Sequence, residues 1–155
     1  MKKIIIMLMI LMLMVGCAKI NPDIAFDGEL EIIVEENIIE VPYNDIYKME
    51  PTSTEVQAIN GKGDTVKNSV EGVLLADILK KNNVDLKDYS SVVLESIDGY
   101  KVELPKEEFE NKEIILTYII DGKIIEKEKL PLTVSIDNSK TKYFVSCLEK
   151  ITLNK

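Results

Sequence analysis

The chain has 155 residues, of which 46% are apolar, and its formal net charge is −8. All 19 basic residues are lysines, and histidine and tryptophan are absent. This composition excludes an imidazole base or metal ligand and the planar guanidinium that clamps phosphate or sulfate. The acidic balance argues against a nucleic acid partner, because affinity for phosphates comes largely from lysine and arginine. The length fits one domain and a leader.

The start of the chain has the pattern of a secretory signal peptide. Lys2 and Lys3 precede a continuous apolar run over residues 4–15. The run is too short to span a bilayer and has the length of a signal-peptide core. It ends at Gly16 and Cys17, and this end resembles the signal box of bacterial lipoproteins.

The lipoprotein resemblance implies that the Cys17 thiol receives a diacylglyceryl group and that cleavage falls between Gly16 and Cys17. Residues 1–16 are then the signal peptide, and residues 17–28 are the lipidated cysteine and its tether. Two acyl chains give a stable anchor, which predicts a protein on the extracytoplasmic face of the cell membrane. Met14 stands where leucine is commoner in such boxes. The alternatives are an ordinary signal peptide or a short core helix in which Cys17 is incidental.

A helix and a β-hairpin are predicted in the middle of the chain. Within residues 72–83, apolar side chains recur at helical spacing and charged ones fall on the opposite side. Residues 91–97 and 100–105 are predicted to be strands joined by Asp98-Gly99, where glycine supplies the positive φ of a tight turn. We expect the other segments to pack on this unit.

Most of the remaining segments are predicted to be strands. Residues 114–120 are apolar on both faces, which indicates a central strand. A glycine-containing turn is expected at residues 61–64, a loop at 51–54, and one or two helical turns at 42–49. The other predicted strands are residues 29–34, 38–41, 55–60, 123–126 and 130–136, with a closing strand within 142–153.

Five short segments follow one another in a recognisable order. They are Gly-Val-Leu-Leu-Ala-Asp-Ile-Leu at 72–79, Ser-Ile-Asp-Gly-Tyr at 96–100, Leu-Thr-Tyr with Asp-Gly-Lys at 116–123, Leu-Pro-Leu-Thr-Val at 130–134, and Tyr-Phe-Val with Leu, Lys and Ile at 143–151. Together they resemble the molybdopterin-binding oxidoreductase domain of the sulfite oxidase type. The resemblance makes residues 29–155 one module and implies an α+β fold, with mixed β-sheet layers and a few short helices.

The residues depart from the chemistry that this resemblance implies. The family binds its metal through a cysteine thiolate, and Ala58 aligns with that cysteine. A methyl group cannot ligate molybdenum, which a soft thiolate suits. The family's arginine and histidine have no counterpart, and residues 137–142 lack the proline and glycine of the cofactor loop. We therefore predict no catalytic, cofactor-binding or metal-binding residue. The alternative is a molybdopterin site built from lysines and backbone.

Two further residue types are candidates for a functional role. Cys147 is the one thiol left if Cys17 is lipidated, and its apolar surroundings favour a buried core cysteine in a strand. The six tyrosines are expected to pack in the core with their hydroxyls at its rim. The leading hypothesis is a non-catalytic, cofactor-free lipoprotein that binds a small ligand or a protein partner. A different small α+β lipoprotein, matching the motifs by chance, is a third possibility.

Overall fold

The computed structural model describes residues 23–155, so the predicted leader, with Gly16 and Cys17, lies outside the described residues. Within this range no helix is long and apolar enough to cross a membrane. The two α-helices of this part of the chain are α1 (Tyr43–Ile46) and α2 (Leu75–Lys81). Its strands are β1 (Glu29–Val34), β2 (Asn37–Pro42), β3 (Thr52–Ile59), β4 (Thr65–Leu74), β5 (Ser91–Ser96), β6 (Lys101–Pro105), β7 (Ile114–Ile120), β8 (Lys123–Ile124), β9 (Thr133–Ile136), β10 (Ser139–Lys140) and β11 (Leu148–Asn154).

The first sheet has the order β2-β1-β11-β5-β6. Its strand β1 pairs with β11 in parallel, with Ile32 opposite Ile151, and the other pairs are antiparallel. The predicted hairpin of β5 and β6 is confirmed, and Gly99 in its turn has a φ of +86°. Because this φ lies in the region that glycine tolerates best, the turn needs glycine there.

The second sheet has the order β10-β3-β4-β7-β8, and β9 also pairs with β7. The strand β7 is flanked on one side by β4 and on the other by β9 and then β8. Its residues from Ile114 to Tyr118 are all buried, which confirms the central strand predicted from its apolar run.

The two sheets and α2 share one apolar core. Ile32 of β1, Leu116 of β7 and Leu79 of α2 are fully buried members of it. A smaller cluster of Val56, Val70 and Ile115 lies on the opposite face of the second sheet, because successive residues of a strand point to opposite faces. Among the residues that the structure describes, the members of both clusters lie between Ile24 and Leu153.

One strand was not predicted from the sequence. Residues 65–74 form β4, between β3 and β7, and the helix begins only at Leu75. The prediction that the helical segment begins at Gly72 is therefore wrong, since Gly72 and Val73 belong to the strand. A Cβ added at Gly72 would clash with the Leu116 carbonyl oxygen and lie 2.7 Å from Thr117 Cα. Glycine is thus required at this point for the close approach of β4 and β7.

Four predicted segments differ from the observed strands by two or more residues at one end. The expected loop at 51–54 is largely the start of β3, and the expected strand at 123–126 is only the two-residue β8. The strand predicted from Leu130 begins at Thr133, and the closing strand begins at Leu148. The segment before β9 is instead held by two backbone hydrogen bonds of 3.1 Å each. The Cys147 N–H donates to the Lys129 carbonyl oxygen, and the Leu148 N–H donates to the Leu132 carbonyl oxygen.

Candidate functional site

Ala58 occupies the place that the sequence aligns with the metal-binding cysteine. It lies in β3, opposite Val66 of β4 and Ser139 of β10, and its side chain is buried. The Ser139 hydroxyl is engaged, because it donates a hydrogen bond to Glu108 Oε2 at 2.9 Å. Among residues 23–155 no group of three or more His, Cys, Asp or Glu residues is arranged to hold a metal ion. The residues around Ala58 therefore do not fit a thiolate-bound molybdenum centre.

Glu108 holds β10 in position beside β3. Its Oε2 accepts hydrogen bonds from Ser139 Oγ and, at 3.3 Å, from Lys112 Nζ, which also donates to the Asn138 carbonyl oxygen at 2.9 Å. Burial alone would raise the pKa of the Glu108 carboxyl, but the bonds from Ser139 and Lys112 hold that pKa below its usual range. The carboxylate thus stays ionised and fixes the short strand.

A cavity of about 380 Å³ lies where β3 ends. Two stretches distant in the chain form its walls: the turn after β3 and the segment after β10. We call it the lysine-lined cavity; its lining residues are Ile59, Asn60, Gly61, Gly63, Lys140, Thr141 and Lys142.

The lysine-lined cavity does not include Ala58. Ile59 is paired with Lys140 across the parallel strands β3 and β10, while Ala58 is paired with Ser139. Because side chains alternate along a strand, Ala58 and Ile59 point to opposite faces of the sheet. The position aligned with the metal ligand therefore does not open into the cavity beside it.

The side chain of Asn60 organises the turn that forms one wall of the cavity. Its Oδ1 accepts hydrogen bonds from the backbone N–H groups of Lys62 and Asp64, both at 2.9 Å, and its Nδ2 donates to Asp64 Oδ2 at 3.1 Å. Gly63 has a φ of +87°. The turn predicted at residues 61–64 is confirmed, and its hydrogen bonds fix its shape.

The other wall is held between the two sheets. Residues Thr141–Tyr143 form a 3₁₀ turn. The Tyr100 hydroxyl, from the β5–β6 hairpin, donates to the Lys142 carbonyl oxygen at 3.3 Å. The Lys142 ammonium lies 4.7 Å from the centroid of the buried Tyr143 ring, in a cation–π contact. The position of Lys142 is therefore fixed by one contact of its backbone and one contact of its side chain.

The charge of the lysine-lined cavity is positive. Lys140 and Lys142 line it, no carboxylate does, and neither lysine forms a salt bridge within residues 23–155. Two other cavities differ in this respect. One of about 460 Å³ has Glu50 and Asp77 in its walls, and one of about 180 Å³ has Glu126. In a chain with net charge −8, a cavity with only cationic charged groups is a local exception.

Cys147 lies outside the lysine-lined cavity. It is half-buried and precedes β11 at a φ of +54°, so the prediction of a buried cysteine within a strand is wrong. Its thiol donates to the Glu128 carbonyl oxygen at 2.8 Å. Burial, and secondarily the charge of Asp98, raises the pKa of the thiol. A raised pKa lowers the thiolate fraction and with it the reactivity of the group.

Five of the six tyrosines pack in the core, as expected. The exception is Tyr100, which is 50% exposed next to Lys142. The sequence gives no signal for the cavity, because its two walls are a turn and a loop that are distant in the chain. The parallel pairing of β10 with β3 brings them together, and nothing local in either segment predicts it.

No protein-family model matches this sequence, and no curated protein matches it. Among solved structures, the chain is similar to the sulfane dehydrogenase SoxCD from Paracoccus pantotrophus, with a TM-score of 0.69 and 14% sequence identity. The match covers 84% of this chain and 40% of the SoxCD chain, so this chain spans less than half of that length. At this identity the likeness shows the fold alone. The predicted fold is thereby confirmed: α+β, with mixed sheets and short helices, of the sulfite oxidase type.

Proposed function

We propose that this protein is a membrane-anchored, extracytoplasmic lipoprotein whose sulfite-oxidase-type domain binds a small ligand without a molybdopterin cofactor. The observation that carries the proposal is Ala58, a buried methyl group at the position aligned with the metal-binding thiolate. The hydroxyl of its neighbour Ser139 already donates a hydrogen bond to Glu108. A domain with this fold that lacks a thiolate ligand at this position is suited to binding rather than to metal-centred oxidation and reduction.

The lysine-lined cavity supports binding of a small molecule. Its volume of about 380 Å³ lies within the range of small-molecule sites, roughly 300–1,000 Å³. Hydrogen bonds hold both of its walls, through Asn60 on one side and through Tyr100 on the other. Walls already in place lower the entropy cost of binding. The proposal of a binding function includes a protein partner at the surface as the alternative to a small ligand.

The anchor places this binding domain at the membrane surface. The leader and Cys17 support lipidation, and the domain follows a short tether. Phe26 shortens the free part of that tether, because its N–H donates to Asn44 Oδ1 at 3.1 Å and its ring packs edge-on against Tyr43 with centroids 5.5 Å apart. The domain is thus expected to work close to the bilayer.

The second candidate function is a molybdopterin-dependent oxidoreductase with an atypical site. Two observations favour it: the fold likeness to a sulfane dehydrogenase, and the charges of Lys140 and Lys142, which suit phosphate. Against it stands the absence of a soft ligand at Ala58. Lysine also supplies a point charge and lacks the planar fork of arginine.

Metal and pterin analysis distinguishes the two functions. The chain from Ala18 onward would be purified from a host that makes molybdenum cofactor, and bound molybdenum and pterin fluorescence would be measured. We expect a folded protein with neither, both for the natural sequence and for Ala58→Cys, since restoring a thiol does not restore the missing arginines. Near-stoichiometric molybdenum and pterin in the natural sequence would overturn the proposal and favour the oxidoreductase.

A further inference from the structure

We infer that the lysine-lined cavity takes an organic anion that carries a compact apolar group. The inference rests on the proposed function, because it assumes that the domain binds its ligand without a cofactor. It names the class of ligand and the residues that select it. Three features support it: the charge of the cavity, its free hydrogen-bonding groups and its apolar surface.

The charge selects an anion. Lys140 and Lys142 both line the cavity, and neither forms a salt bridge within the part of the chain that the structure describes. An anion between them makes charge-assisted hydrogen bonds, which are stronger than neutral ones. The contact of Lys142 with the Tyr143 ring, at 4.7 Å, keeps its ammonium near this wall. A cation or a zwitterion finds no carboxylate partner among the lining residues.

The free polar groups select a ligand that accepts hydrogen bonds. In the turn the Asn60 side chain uses its Oδ1 twice and one of its two Nδ2–H groups. The side-chain donors that remain for a ligand are the second Nδ2–H of Asn60, the two ammonium groups and the Thr141 hydroxyl, which has no hydrogen-bond partner within residues 23–155. Carboxylate oxygens accept only, so they match this set of donors.

The apolar surface selects an organic group and not a bare inorganic ion. Ile59 lies in the wall, and the lysine side chains contribute their methylene stems. Tyr100, 50% exposed, stands beside Lys142 through its hydroxyl contact. The cavity is larger than one tetrahedral oxyanion needs, so the remaining volume would hold only water. An apolar group fills that volume and covers Ile59 as the carboxylate contacts the lysines.

Amide chemical shifts of the ¹⁵N-labelled chain from Ala18 onward test this inference. The probes are benzoate and hexanoate, with neutral benzamide and inorganic phosphate as comparisons. We expect benzoate or hexanoate to shift the amides of Gly61, Gly63 and Thr141 in a saturable manner, with little effect of benzamide. Phosphate should bind about tenfold more weakly than the better carboxylate, because it lacks the apolar contact.

Three variants and one control localise the binding. Lys140→Gln and Lys142→Gln should each weaken the carboxylate about tenfold, the loss typical of a charge-assisted bond. Gly61→Leu should weaken binding, since Gly61 lines the cavity and the added side chain meets no protein atom within 4 Å of its Cβ that would hold it away. The control, Lys87→Gln, removes an exposed lysine of the turn before β5, which does not line the cavity, and should leave affinity unchanged.

Four outcomes overturn the inference. The first is the absence of any chemical-shift change with either carboxylate at about 10 mM, a concentration well above the dissociation constants typical of specific sites. The second and third are binding of benzamide as tight as that of the carboxylates and binding of phosphate tighter than theirs. The fourth is a loss of carboxylate affinity in Lys87→Gln equal to that in Lys140→Gln or Lys142→Gln. Failure of the proposed function is recognised separately, because it appears as copurified molybdenum and pterin and does not depend on any carboxylate.

Discussion

The Ser139 hydroxyl donates a hydrogen bond to Glu108 Oε2 at 2.9 Å, and through it the short strand β10 is tied to the turn at Lys106–Glu108. Ser139 is buried, so Ser139→Ala removes a bond that water cannot replace. We expect Ser139→Ala and Glu108→Gln each to lower the free energy of unfolding by about 1–2 kcal/mol. Denaturant unfolding measures this, with exposed Glu107→Gln as the matched control. An equal loss in Glu107→Gln would contradict the assignment.

The contribution of Glu108 depends on pH. Although burial opposes it, hydrogen bonds from Ser139 and Lys112 lower the pKa of this carboxyl in the folded protein. A lowered folded pKa gives stability that is present above the unfolded pKa and is lost as pH falls through the folded pKa. The stability difference between the natural sequence and Glu108→Gln should therefore be larger at pH 7 than at about pH 3. A difference that is the same at both values would exclude the ionised contact.

The approach of β4 to β7 allows only glycine at position 72. A Cβ there would clash with the Leu116 carbonyl oxygen, and backbone atoms cannot move aside without disturbing the sheet. We expect Gly72→Ala to lower the free energy of unfolding by about 3 kcal/mol. The matched control is Gly61→Ala, whose Cβ has nothing within 4 Å. It should be neutral or slightly stabilising in the same denaturant titration.

Two buried tyrosines make the fold sensitive to alkali. Tyr47 and Tyr118 pack edge-on with ring centroids 5.5 Å apart, and burial raises the pKa of each hydroxyl to about 12. A pKa raised above the unfolded value of about 10 gives stability that is complete below pH 10 and is lost as pH rises towards 12. Thermal unfolding followed by circular dichroism should show a lower midpoint at pH 11 than at pH 8.

A substitution identifies the group responsible. Tyr47→Phe removes the hydroxyl that donates to the Pro131 carbonyl oxygen at 2.9 Å, and should cost about 1 kcal/mol at pH 7. It should also reduce the loss of stability between pH 8 and pH 11. Tyr100→Phe, at a half-exposed tyrosine, should leave that alkaline loss as it is in the natural sequence.

Lipidation at Cys17 is tested in the full-length chain. In Cys17→Ser we expect no labelling by radioactive palmitate and no cleavage after Gly16, so the chain should keep its apolar leader. The reason is that serine has no thiol for the diacylglyceryl group, which supplies the anchor. Cys147→Ser should keep both the label and the cleavage. Palmitate labelling that persists in Cys17→Ser would place the anchor elsewhere.

Elements with strong local chemistry could be read from the sequence. The turn predicted at Asp98-Gly99 contains Gly99 at a positive φ, which glycine tolerates. The apolar run of β7 predicts its burial, because a strand that is covered on both faces is apolar at nearly every position. That Ala58 replaces a thiolate ligand stays a prediction, and it depends on one residue type at one aligned position.

The tertiary structure decided what depends on partners distant in the chain. Residues 65–74 are mostly polar outside their last positions, and they form β4 because β3 pairs with residues 65–72 and β7 pairs with residues 70–74. The pairing of Ile59 with Lys140 likewise creates the lysine-lined cavity. Hydrogen bonds between strands are made by backbone groups common to all residues except proline, so the sequence carries little record of which strands will meet.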